Sequence, residues 1–171
     1  EHEWDAFIEA ADTDAYAVLT YSYPAESLDH AHALDILLDH IEGEDRVPAG
    51  ERAEKIVLVG IGGGGAASLQ AASRRGIDYI AGIAVISAPI ERDGERLYTD
   101  GDLRQIIAPK LFICSEFDDL VDDARSLFAI VEDPRRLTTY PGEARGGEMF
   151  AEHGESLAQE LMEFIAWAFY R

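Results

Sequence analysis

The sequence predicts an α/β domain, a parallel sheet of about five strands with helices on both faces, and three observations predict it. Apolar stretches of strand length alternate along the chain with segments of helical periodicity. The stretch Ile56-Val-Leu-Val59 is continuous in β-branched residues and leucine, the composition of a strand buried on both faces. It runs directly into Gly60-Ile-Gly62-Gly-Gly-Gly65, which reads as a tight turn opening a helix.

Each element can be justified in order. Residues 4–11 read as a short amphipathic helix, and residues 15–21 as a first strand ended by Pro24. Ser27 is placed to N-cap a helix running to about Glu42, with Leu34, Leu37, Leu38 and Ile41 on one face. Residues 43–50 form a polar loop, and residues 56–59 the second strand. The glycine run opens a helix over about 65–75. Residues 80–87 are a third strand stopped by Pro89, followed by a charged surface excursion over 91–101. Residues 111–114 are a strand, 121–131 a helix broken off by Pro134, and 137–140 a short last strand. Residues 154–170 make a final amphipathic helix. The 171 residues contain no repeat, no low-complexity stretch and no linker long enough to divide them, so residues 1–171 are expected to fold as one domain.

Charge narrows the possible partners. The chain carries 34 acidic and 14 basic residues, a formal net charge of −20, and its only lysines are Lys55 and Lys110. Such a field repels nucleic-acid phosphates and anionic membranes, and neither is expected as a partner. A generally acidic surface explains the balance, and adaptation to a salty cytoplasm is the second explanation. No apolar run approaches the ~20 residues of a membrane span. No basic segment followed by an apolar run precedes Trp4, so no secretory leader is expected, and the start at Glu1 suggests trimming or a fragment. Cys114 is the only cysteine, which agrees with a reducing cytoplasm, the expected location.

Three landmarks in fixed order carry a resemblance. The first is Val57-Leu-Val-Gly60-Ile-Gly62-Gly-Gly64 with the small-residue helix start Gly65-Ala-Ala-Ser68. The second is Ala108-Pro-Lys-Leu-Phe-Ile-Cys-Ser-Glu116-Phe-Asp118-Asp-Leu-Val121. The third is Tyr140-Pro-Gly142-Glu-Ala-Arg145-Gly146-Gly-Glu-Met-Phe150. Together they resemble the α/β-hydrolase family, in its esterase and dienelactone-hydrolase-like form, over nearly the whole chain. The resemblance implies that Gly62 stands at the apex of the nucleophile elbow, where the family's Gly-x-Ser-x-Gly pattern has its serine. It implies that Asp118 keeps the position of the triad acid. Arg145 occupies the histidine position of the last loop, and Gly63, next after the apex, is the remnant oxyanion donor through its backbone N–H. The family also has strands before the first helix seen here, one of which leads to the second oxyanion donor, and this sequence does not show them.

The substitutions have direct chemical meaning. Glycine has no side chain with which to attack a carbonyl, and a guanidinium stays protonated and cannot act as a base. The resemblance therefore implies an α/β-hydrolase-like protein without serine hydrolase activity. Its remnant pocket, lined by Gly62, Gly63, Asp118 and Arg145, would admit a small molecule, with no cofactor and no metal, or the fold would be kept as a structural or partner-binding relic. Arg145 is expected to pair with Asp118, and it could hold a small carboxylate or phosphate if Asp118 does not neutralise it.

Two alternatives stand beside this reading. Gly60-Ile-Gly62-Gly-Gly-Gly65 also fits the G-x-G-x-x-G fingerprint of dinucleotide-binding modules. No acidic ribose partner follows at the right distance, however: Ala84-Val-Ile86 is apolar and Glu91 comes late. An ester hydrolase built on displaced residues would use His153 with another hydroxyl, Ser68, Ser73, Ser87 or Ser115. The plainer expectations are an exposed His153, solvated His30, His32 and His40, and Asp35 and Asp39 at the surface. The acidic run 116–123 lacks the spacing of a calcium loop and reads as a solvated helix start. Cys114 reads as a buried inert thiol, and Trp4, Phe164 and Trp167 as packing residues.

Overall fold

A computed structural model describes residues 4–13, 19–20, 29–42, 55–75 and 79–170. Helices α1 (Asp5–Thr13) and α2 (His30–Glu42) come first. Strand β1 (Ile56–Ile61), helix α3 (Gly63–Arg75) and strand β2 (Ile80–Ile86) follow. A two-rung hairpin, β3 (Glu91–Arg92) and β4 (Glu95–Arg96), leads to helix α4 (Asp100–Arg104). Strand β5 (Lys110–Ser115), helix α5 (Val121–Ile130), strand β6 (Arg135–Tyr140) and helix α6 (Glu148–Phe169) complete the order.

Four strands form a parallel sheet in the order β1-β2-β5-β6. The strand expected over 15–21 and the cap at Ser27 lie outside the described residues, as does the polar loop over 43–50. Ile61 pairs with Ile86, and Ile86 with Ile113, so β1 and β2 end in an isoleucine row that β5 crosses two residues before its own end. Side chains alternate across the sheet, as a pleated strand requires. Val85 and Phe112 point into a core closed by Leu69 of α3, Leu103 of α4 and Leu127 of α5. Ala84, Ile86, Leu111 and Ile113 point into the opposite core, closed by Phe7 of α1 and by Leu157, Leu161 and Phe164 of α6. Helices thus cover both faces, as the sequence predicts.

Small residues set the closest contacts. Glycine at 60 lets α3 cross β1 so tightly that a Cβ there would stand 2.5 Å from the Gly64 carbonyl oxygen and 2.6 Å from the Gly65 Cα. The small-residue face of α3 receives α2 through Leu34 and Leu38 against Ala67 and Ala71. Asp35 and Asp39 join this contact: Arg74 reaches Asp35 at 2.5 Å and Arg75 reaches Asp39 at 2.6 Å. Trp4 stacks on Phe150 with ring centroids 4.8 Å apart, and Arg136 lies 4.6 Å over the Trp167 ring, so both tryptophans serve packing.

Two segments differ from expectation. The charged excursion contains α4, whose N-cap Thr99 forms a reciprocal capping box with Asp102. The last helix starts at Glu148 rather than 154. Gly154 sits inside it with open space around its Cα, a tolerated helix-interior glycine and not a helix start.

Candidate functional site

The site grows from the carboxyl ends of the strands. At the end of β1 the chain turns at Gly62, whose φ is +53°, and enters α3 at once. The Gly62 N–H donates to the Ile86 carbonyl at 2.9 Å, and its own carbonyl accepts the Ala66 N–H at 3.1 Å. The apex is therefore tied to the neighbouring strand on one side and to the helix on the other. A Cβ built at Gly62 would meet nothing within 4 Å. The apex presents bare backbone to open space, in a left-handed conformation that favours glycine.

Gly63 is covered. A Cβ there would lie 2.6 Å from Nδ1 and 2.9 Å from Cε1 of His30, at the first turn of α2. His30 is half-buried against the elbow, not solvated as expected; His32 and His40 are exposed. Nothing in the sequence announces this, because it depends on how α2 crosses α3.

Asp118 is buried at 2% exposure, although the acidic run around it reads as solvated. Its Oδ2 accepts a 2.5 Å hydrogen bond from Ser87 Oγ, and its Oδ1 accepts the Leu120 N–H at 2.8 Å. A second acid of the run is also engaged: Asp123 Oδ2 accepts the Ile90 N–H at 2.9 Å and so braces the entry to the hairpin. Arg145 Nε stands 4.0 Å from Asp118 Oδ1, and Arg145 Nη1 3.7 Å from Asp119 Oδ2. The structure brings residues 118 and 145 together, yet the strong partner of Asp118 is Ser87. Among the described residues the Arg145 guanidinium, 52% exposed, donates no hydrogen bond.

Ser87 is the residue that sequence reasoning undervalued. It directly follows β2, is 1% exposed, and holds φ at +50°, unusual for a residue with a side chain. Its hydroxyl donates to Asp118 and accepts the Gly146 N–H at 3.0 Å. The only signal in the sequence is a serine after a buried strand; its partners are 31 and 59 residues away. Gly146, at φ +56°, brings the last loop onto the elbow: a Cβ there would stand 3.2 Å from Ile61 Cγ2. Ser68 donates to the Gly64 carbonyl, Ser73 to the Gln70 carbonyl and Ser115 to the Ala144 carbonyl.

His153 lies within α6, its ring 4.9 Å from that of Tyr140 and its Nε2 3.0 Å from the Pro141 carbonyl oxygen. Its side chain is 14% exposed, so the expectation of an exposed position is corrected: the ring packs on β6. Cys114 is fully buried, and burial pushes its thiol pKa up. A depression of about 540 Å³ adjoins the last loop, bounded by Glu143, Ala144, Glu148, Ala151 and Glu152. None of Gly62, Gly63, Asp118 and Arg145 lines it. Among the described residues no cluster of three or more His, Cys, Asp or Glu is arranged to hold a metal ion, and no helix is long and apolar enough to cross a membrane.

No protein-family model matches the sequence, and the search of curated proteins gave no match. Solved structures do match. The chain is similar to the esterase domain of a Rhodothermus marinus protein at 18% identity and TM-score 0.73, covering 97% of this chain and 79% of that one. It is similar to a Pyrococcus furiosus esterase at 13% identity and TM-score 0.77, covering 97% and 76%. It is also similar to a Paleococcus ferrophilus monoacylglycerol lipase at 16% identity and TM-score 0.74, covering 98% and 91%. The chain has an α/β-hydrolase-like fold.

Proposed function

We propose that this α/β-hydrolase-like protein lacks serine hydrolase chemistry and binds a small molecule at the carboxyl edge of its sheet. The observation that carries the reading is the apex itself: Gly62 at φ +53° with open space where a nucleophile's side chain would stand. Attack by a serine needs a hydroxyl, a base to take its proton, and an acid to hold that base. Position 62 offers no hydroxyl. Arg145 is a permanent cation. Asp118 is committed to Ser87 and to the Leu120 amide.

What remains suits binding. The Arg145 guanidinium has donors in a planar fork, which matches a carboxylate or carbonyl acceptor. Asp118 and Asp119 within about 4 Å temper its charge, which favours an acceptor with one negative charge or none over a polyphosphate. The test is a fluorophosphonate probe with p-nitrophenyl acetate turnover measured in parallel. The expected result is neither labelling nor turnover above the uncatalysed rate; labelling of the wild-type protein overturns the reading.

One observation favours the competing reading, an ester hydrolase that uses non-standard residues. The His30 imidazole sits against Gly63, beside the apex, where it could act on a water occupying the open space at Gly62. That reading requires turnover without fluorophosphonate labelling, and its loss in His30→Ala.

A further inference from the structure

We infer that Ser87 and Ser115 are positioning residues for residue 145, pinning the last loop on both sides of it. The inference rests on reading residue 145 as part of the site. Ser87 follows β2 and Ser115 ends β5, two neighbouring strands, and the two are 1% and 0% exposed. Ser115 Oγ donates to the Ala144 carbonyl at 2.6 Å. Ser87 Oγ accepts the Gly146 N–H at 3.0 Å. The two pinned backbone groups flank Arg145, so the residue between them has little freedom of position and its side chain is turned outward, half-exposed.

The two pins differ in kind. Ser115 supplies a donor to a carbonyl, while Ser87 supplies an acceptor to an amide and donates its own hydrogen bond to Asp118. A single hydroxyl thus joins the acid turn after β5 to the last loop after β6. The positive φ of Ser87 fits this task, since strained backbone persists where its surroundings fix it and gathers at functional positions. The last turn has further attachments, the Phe117 N–H to the Gly142 carbonyl at 3.1 Å and the Arg145 N–H to Glu148 Oε2 at 3.3 Å. The first of these holds the loop before residue 144, and the second is exposed. The Arg145 and Gly146 carbonyls also accept the Glu148 and Met149 N–H at 3.1 and 3.3 Å as the chain turns into α6; the buried side-chain holds on either side of residue 145 are the two serines.

The experiment compares wild type, Ser87→Ala and Ser115→Ala by amide hydrogen exchange and by the Arg145 Nε–H resonance. Ser87→Gly is the backup should Ser87→Ala not fold, because glycine accepts φ +50° while still removing the hydroxyl. Each variant is expected to speed exchange at the Gly146 amide at least tenfold with β2 and β5 amides unchanged. The Arg145 Nε–H signal should shift or broaden while that of Arg136 stays put. Exchange that rises equally throughout the sheet, or an Arg145 signal that does not move, overturns the inference and assigns the hydroxyls to core packing. Labelling of wild type by a fluorophosphonate would instead overturn the functional reading and leave this measurement standing.

Discussion

The Arg145 guanidinium stands 4.0 Å from the Asp118 carboxylate, beyond hydrogen-bonding reach, while the Ser87 hydroxyl holds the same carboxylate at 2.5 Å. The two contacts should differ sharply in weight. A half-exposed, long ion pair contributes at most about 1 kcal/mol. Arg145→Ala should therefore change unfolding free energy by less than that. Asp118→Ala leaves the Ser87 hydroxyl and the Leu120 amide without their acceptor, at about 1–3 kcal/mol for each buried group. Urea denaturation of the two variants checks the order; an Arg145→Ala loss as large as that of Asp118→Ala would show the ion pair to be the main bond.

The elbow glycines should rank in the order their surroundings dictate. At Gly62 a side chain meets open space, so Gly62→Ser should fold with a loss of roughly 1–3 kcal/mol from the positive φ alone. It should show no esterase activity by itself, since residue 145, at the histidine position, is an arginine and cannot take the hydroxyl's proton. At Gly60 the collisions are with the backbone of residues 64 and 65, which cannot move aside without displacing α3. Gly60→Ala should lose more than the roughly 1–3 kcal/mol usual for overpacking. Denaturation midpoints test the ranking, and p-nitrophenyl acetate turnover by Gly62→Ser alone would contradict the second claim.

Lys110 gives a pH dependence whose sign can be worked out. The residue is fully buried, with Nζ donating to the Ile106 carbonyl at 2.6 Å, and burial lowers its pKa from 10.5 to about 8. Between pH 8 and 10.5 the unfolded chain keeps a proton that the folded chain has released, so stability rises with pH across that window. The full span corresponds to roughly 3 kcal/mol. Burial raises the pKa of Tyr98 and Tyr140, so above about pH 10 the unfolded chain loses phenolic protons that the folded chain keeps, and stability falls. Unfolding free energy should therefore climb from pH 7.5 to about 10 and then decline. Lys110→Met should flatten the climb; a climb of equal size in that variant would assign it to another group.

The excess of 20 negative charges should make stability salt-dependent. Self-repulsion of like charge opposes the compact state and is screened by added ions. From 0.05 to 1 M KCl the melting temperature should rise by at least about 4 °C, roughly 1–2 kcal/mol for a domain of this size. A flat response would mean that the acidic residues are spaced widely enough to be indifferent to one another.

Much of the scaffold could be read from the chain because it depends on local pattern. The apolar run before Gly60 and the row Leu111-Phe-Ile-Cys114 became β1 and β5, and the periodic apolar residues from 157 to 165 became the buried stripe of α6. Boundaries slipped where one residue has two meanings, as at Gly154. The capping box of Thr99 and Asp102 was present in the sequence but hidden in a charged stretch. The site was legible only in part. Gly62 announces itself through its neighbours, whereas the burial of Asp118 and the place of Ser87 depend on atoms brought together from distant segments. His30 shows the same limit, because helical periodicity gives a face and not what that face meets.

The sealing of Lys110 inside the sheet has a practical consequence. It leaves Lys55, exposed and immediately before β1, as the one lysine amine at the surface. An amine-reactive dye should mark a single side chain, at the opposite end of β1 from Gly62, about 20 Å away at the usual rise of a strand. The label would report on the molecule without touching the apex.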